Sequence, residues 1–111
     1  MKKLEVVTGF AFYKQTELLE KAQFIFASMN ENANFPNPEP GMKTLARSIN
    51  NFSVALYDEQ EYTAVKTITR SILTDDLNRL ASYVNKVAAG NEAALSSSGF
   101  TLNTIQQRAT A

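Results

Sequence analysis

The sequence predicts an all-α fold: an antiparallel three-helix bundle with a short fourth helix and extended termini. Three observations carry this. Apolar residues recur at steps of three and four over three separate stretches, which is the spacing of one helix face. Period-two alternation is confined to the two ends of the chain. A proline-rich run stands between the first and second helical stretches, where a helix cannot continue.

Residues 1–14 read as an extended arm. Leu4, Val6, Phe10 and Phe12 share one parity, with Thr8 between them, so a strand-like segment lies against the core. The period changes at Thr16. Glu17 and Glu20 suit the first turns of a helix, where the positive end of the helix dipole favours acids. Leu18, Ala22, Ile25, Phe26 and Met29 then make an apolar stripe, giving a helix over 15–31. Phe24 falls off that stripe and points to a second neighbour or a partner.

The stretch NANFPNPEPG, residues 32–41, holds all three prolines of the chain at every second position. Each proline fixes its own φ and pushes the preceding residue out of the α region. The expected result is a stiff, extended crossing, with about 3 Å of reach per residue. Phe35, apolar among polar neighbours, pins it to the core. Stiffness here sets where the second helix begins against the first at little entropic cost.

Pro40 suits the first turn of the second helix, expected over 40–57 with Met42, Leu45, Ile49, Phe52 and Leu56 on its apolar face. Asp58, Glu59, Gln60 and Glu61 form a polar turn. The third helix, 61–89, is the longest. Val65, Ile68, Ile72, Leu73, Leu77, Leu80, Val84 and Val87 hold its stripe, and Gly90 stands where a left-handed C-cap is expected. NEAAL opens a short helix over 91–97, broken by SSSG. Residues 99–111 are an extended tail, in which Phe100, Leu102 and Ile105 alternate and can pair with the N-terminal segment. The 111 residues form one domain, a common domain size.

Composition narrows the chemistry. There is no His and no Cys, which excludes disulfides, thiolate nucleophiles, Cys/His zinc sites and a Ser-His-Asp triad. Eleven basic and eleven acidic residues cancel, so no general pull toward nucleic acid or anionic membrane exists and self-association is not opposed. No apolar run approaches the roughly 20 residues that span a bilayer. Glu5, Thr8 and Gly9 interrupt the apolar stretch after Lys2 and Lys3, against a cleaved signal peptide.

The remaining candidates have simpler readings. Asp75 and Arg79, four apart, make a solvated surface pair beside Asp76. Asp58, Glu59 and Glu61 lack the alternating oxygen-ligand loop of a calcium site. Arg47, Lys66 and Arg70 carry no interleaved aromatic residues as a nucleic-acid face would. SSSGF is a turn in which serines bond locally, Gly99 supplies an unusual φ and Phe100 enters the core. No catalytic residue, metal site or cofactor is expected. The aromatic residues exceed what one three-helix seam needs. Phe10, Phe12, Tyr13 and Phe24, in the arm or off the best stripe, are the expected interface residues.

Four pieces stand in order: NFPNPEP, AVKTITRSILTDDLNRLASYVN, AAGN and SSSGF. Together, over residues 28–102, they resemble a family of small helical modules in bacterial and phage-associated proteins. Longer members of that family continue into a fibronectin-type-III-like β-domain. The resemblance implies no catalytic residue. It implies a structural or adhesive module, part of a phage virion as a head fibre, decoration or tail-associated component, and the expected partners are other protein subunits, either copies of the same chain in a homo-oligomer or virion proteins. The chain stops shortly after Phe100, before any such β-domain, which shifts the expectation from receptor binding to assembly. A small intracellular helical adaptor or regulator is the alternative.

Overall fold

The computed structural model describes residues 4–10, 12–58 and 63–102. The expectations for Glu59, Gln60, Glu61, Ile105 and the rest of the tail lie outside these. Four helices follow one another: α1 (Gln15–Met29), α2 (Met42–Tyr57), α3 (Thr63–Ala88) and α4 (Glu92–Ser97). Among the described residues there is no strand, only an isolated antiparallel bridge between Val6 and Leu102. The fold is all-α.

Of the three long helices, α2 packs on both others, and α4 packs on α3. Asn37, just before α2, donates its N–H to the Tyr83 hydroxyl, and Ser48 further along bonds to Asp76. One core takes in Leu18, Leu19, Ala22 and Ile25 from α1, Leu45, Ile49 and Phe52 from α2, and Leu73, Leu77, Leu80 and Val84 from α3, together with Val6, Phe10, Phe35, Leu95 and Phe100.

Helix ends follow their local chemistry. At the start of α1 the Glu17 carboxylate accepts the N–H of Lys14 at 3.0 Å, which is half of a capping box. A lysine side chain has no acceptor to complete it. α1 stops at Met29, short of the expected 31, because Glu31 takes a left-handed conformation (φ 57°) and Asn32 closes the turn. The Asn32 side-chain amide lies 3.1 Å from Ser28 O, Ser97 O and Ser97 Oγ, and its carbonyl accepts the N–H of Asn34. One asparagine thus ends α1, starts the connector and ties both to α4. Pro40 lies ahead of the α2 N-cap Gly41 rather than in the first turn, after a cis peptide bond.

Phe35 is 1% exposed and packs on the Tyr83 ring, with centroids 6.1 Å apart. Burying a side chain of this size stabilises by about 2–3 kcal/mol, so this residue anchors the connector.

The α3 stripe needs correction. Ile68, Ile72 and Val87 are 57%, 50% and 43% exposed, and the buried set begins at Leu73. Successive helix residues are about 100° apart. Ile72 and Leu73 therefore cannot both face the core; Val65, Ile68 and Ile72 form a separate stripe on the flank. Asp76, next to the surface pair Asp75–Arg79, is buried.

The turn after α4 behaves as its residues require. Ser98 Oγ donates to Leu95 O and accepts the N–H of Phe100. Gly99 has φ 86°, and a Cβ there would sit 2.8 Å from Ser28 Oγ and 3.1 Å from the Ile25 Cα. Only glycine lets this turn lie so close to α1.

Candidate functional site

The four interface residues expected from sequence separate in the structure. Phe10 is 4% exposed and belongs to the core, with its ring 5.7 Å from Tyr13 and 6.1 Å from Phe100. It presents no surface. The physical reason is the docking of the arm. The N–H of Val6 donates to Asn85 Oδ1 at 2.8 Å, and that of Val7 to Thr101 O at 2.7 Å. Arg70 on α3 donates to the carbonyls of Phe10 and Tyr13 at 3.3 and 2.6 Å, and to the Gln15 side chain. These bonds turn the Val6–Phe10 parity inward. The N–H of Tyr13 then bonds to Phe10 O, closing a turn that breaks the alternation and throws Phe12 outward.

Phe12 is 98% exposed and Phe24 59% exposed. With the half-buried Tyr13 and with Glu17, Glu20 and Lys21 they line one open cleft on the outside of α1. Positions 17, 20, 21 and 24 share a helix face about 100° wide, turned away from the Leu18–Ala22–Ile25 stripe. The Lys21 ammonium lies 5.7 Å from the Phe24 ring centroid, within cation–π range. Burial pushes its pKa below the ordinary lysine value. Among the described residues the ion pairs are Arg79 with Asp75 and with Asp76, so no carboxylate there neutralises Lys21. Sequence reading overlooked Lys21; its signal was the spacing of three and four that places it with Glu17 and Phe24.

The other candidate groups are engaged in packing. Arg70 is committed to the arm. Ser97 Oγ donates to Ala94 O and Ser98 Oγ to Leu95 O. Arg79 holds the exposed Asp75 at 3.3 Å and the buried Asp76 at 2.9 Å. Among the described residues no three His, Cys, Asp or Glu side chains gather as a metal site would need, and no helix is long and apolar enough to cross a membrane.

Comparison with protein-family models, with curated proteins and with solved structures finds no match for this chain.

Proposed function

We propose that this chain is a non-enzymatic structural protein that works by binding other protein subunits, most specifically as an assembly component of a phage virion. One observation carries the reading: two large aromatic residues, Phe12 and Phe24, stand in water on the outer face of α1 beside Lys21, which makes no ion pair among the described residues. Aromatic residues around a charged anchor are what protein interfaces concentrate. In this reading α1, α2 and α3 form an antiparallel bundle that holds the α1 face rigid. The balance of eleven acids and eleven bases gives nucleic acid and anionic membranes no purchase.

Mass spectrometry of purified particles from the source tests the proposal. The chain is expected at stoichiometric abundance with the structural proteins; its absence from particles overturns the virion role.

A second reading, a helical adaptor or regulator, is favoured by a different observation. Val54 and Tyr57 on α2, and Ile68 and Ile72 on α3, are each at least half exposed. A protein with apolar residues presented from helices other than α1 can join two partners. Recovery of the chain with soluble host complexes rather than with particles transfers the assignment to this reading.

A further inference from the structure

The N-terminal arm lies in its seat as a docked peptide would. Val6 and Phe10 are buried, while Thr8 and Gly9 between them are exposed. The Asn85 side-chain amide brackets Val6: its Oδ1 accepts the Val6 N–H at 2.8 Å and its Nδ2 donates to Val6 O at 3.5 Å. The Val7 N–H donates to Thr101 O beside the antiparallel Val6–Leu102 bridge, and Arg70 donates to Phe10 O. The Phe10 ring packs on Phe100. Apolar anchors combined with main-chain bonds along an edge are how extended peptides add to a protein surface. Among the described residues, the one hydrogen bond to Val6–Phe10 from nearby in sequence is that of the Tyr13 N–H to Phe10 O; the others come from α3 and Thr101.

We propose that the chain dimerises by exchanging arms: Val6–Phe10 of each copy leaves its own seat and fills the same seat on a second copy. The occupant is chosen by fit. The seat of Asn85, Arg70, Phe100 and Thr101 is the same in every copy, and the structure shows it filled by this segment. Exchange about a two-fold axis keeps those bonds, now between chains. What it loses is local: the Tyr13–Phe10 bond at 3.3 Å and the Phe10–Tyr13 ring contact at 5.7 Å. That turn is the hinge. Opened, the four steps from Phe10 to Lys14 reach at most about 14 Å, so the two bodies sit side by side. Within one chain the arm is tethered beside its seat, at an effective concentration in the millimolar range. Exchange therefore grows as copies crowd together, as they do in an assembled particle. The exchange does not use the α1 face; its place in an assembly rests on the reading above, to which it adds a second copy as a partner.

Trapping by disulfide tests this on the full chain. There is no Cys in the sequence, so introduced thiols report alone. Val7 and Thr101 lie opposite each other, one step along from the Val6–Leu102 bridge, and facing residues of an antiparallel pair are within disulfide range. The double variant Val7→Cys with Thr101→Cys is expected to close this bond within one chain at low concentration. Failure to close would show that the arm does not sit against Thr101, and would overturn the proposal at its base. The decisive measurement is a concentrated mixture of the two single variants. A disulfide joining the two different variants forms only when the arm of one chain sits in the seat of the other. That product is expected in about tenfold or greater excess over either linked homodimer, because docking holds its two thiols at high effective concentration. A statistical mixture of linked products, or monomers alone, overturns the proposal.

Phe10→Asp placed in the Val7→Cys chain removes an anchor of the arm. The mixed product is then expected to fall to the level of the homodimers, with circular dichroism checking that the helices remain. A mixed product unchanged by Phe10→Asp would come from collision rather than docking, and counts against exchange. Absence of the mixed product with the chain abundant in purified particles removes arm exchange and leaves the assembly role standing. Its presence with the chain absent from particles does the reverse.

Discussion

The hydroxyl of Ser48 on α2 donates a hydrogen bond to the carboxylate of Asp76 on α3, inside an otherwise apolar seam. Asp76 is 2% exposed, and its other oxygen accepts from Arg79 at 2.9 Å. A buried carboxylate is stable only with its partners in place. Asp76→Ala is therefore expected to cost about 2–3 kcal/mol, since it leaves the Ser48 hydroxyl without its acceptor and opens a cavity. Ser48→Ala combined with Asp76→Leu removes both polar groups and is expected to cost less than the two single changes summed. Urea unfolding of the four proteins of this cycle measures the coupling. Strict additivity would show that the two side chains do not act as a pair.

Gly99 is the second point where one atom decides the packing. With φ 86° and a would-be Cβ 2.9 Å from the Ser28 Cβ, alanine there faces both backbone strain and collision with α1. The left-handed conformation alone costs about 1–2 kcal/mol, and overpacking adds about 1–3 kcal/mol. Gly99→Ala is expected to lose roughly 2–4 kcal/mol in thermal or urea unfolding. Gly9→Ala, with open space around it, is the control and is expected to stay within about 0.5 kcal/mol. Ser28→Ala on the Gly99→Ala background recovers only part of the loss, because the Ser28 Cβ remains. A neutral Gly99→Ala would mean that the turn does not press on α1.

The connector yields a third prediction. Phe35→Ala is expected to destabilise by about 3–4 kcal/mol, as for other fully buried aromatic residues, and to open the Asn32–Pro40 segment to proteolysis. Tyr83→Phe keeps the ring contact and loses only the bond from the exposed Asn37 N–H, which water can replace, so its cost stays below about 1 kcal/mol. If the two changes proved equally costly, the hydroxyl rather than the ring would be the anchor.

What the sequence made legible follows from how local the signal is. Leu18, Ala22, Ile25 and Met29 repeat every three or four residues, and all are buried. Phe35 stands out because nothing near it is apolar. Asp76 was hidden because residue type was weighed above position: it lies three after Leu73 and four before Leu80, on the core face, just as Ser48 lies three after Leu45 and four before Phe52. The α3 flank misled for the opposite reason, since Ile68 and Ile72 are apolar but belong to a different face. The arm was half legible. Alternation pointed to Phe10 and Phe12 together, yet the inward turn of Phe10 is set by Asn85 and Arg70, more than fifty residues away. No local pattern encodes such bonds.

Arg70 supplies the last prediction. Its guanidinium reaches the carbonyls of Phe10 and Tyr13 and the side chain of Gln15, so one cation gathers the arm, the turn and the start of α1. A planar fork with five donors suits three acceptors held in different directions; a lysine ammonium, as a point charge, does not. Arg70→Lys is therefore expected to behave much like Arg70→Ala, each losing about 1.5–2 kcal/mol, the lower part of the range for hydrogen bonds to a charged group because the site is half-buried. The loss should be local before it is global. Amide exchange is expected to accelerate at Val6 and Val7, whose N–H groups bond to Asn85 and Thr101, while the α2–α3 seam around Ser48 keeps its protection. Hydrogen exchange resolved by residue measures this directly. Uniform acceleration across the arm and the seam would instead make Arg70 part of the cooperative core, and unchanged exchange at Val6 would show that the arm is held by its own packing.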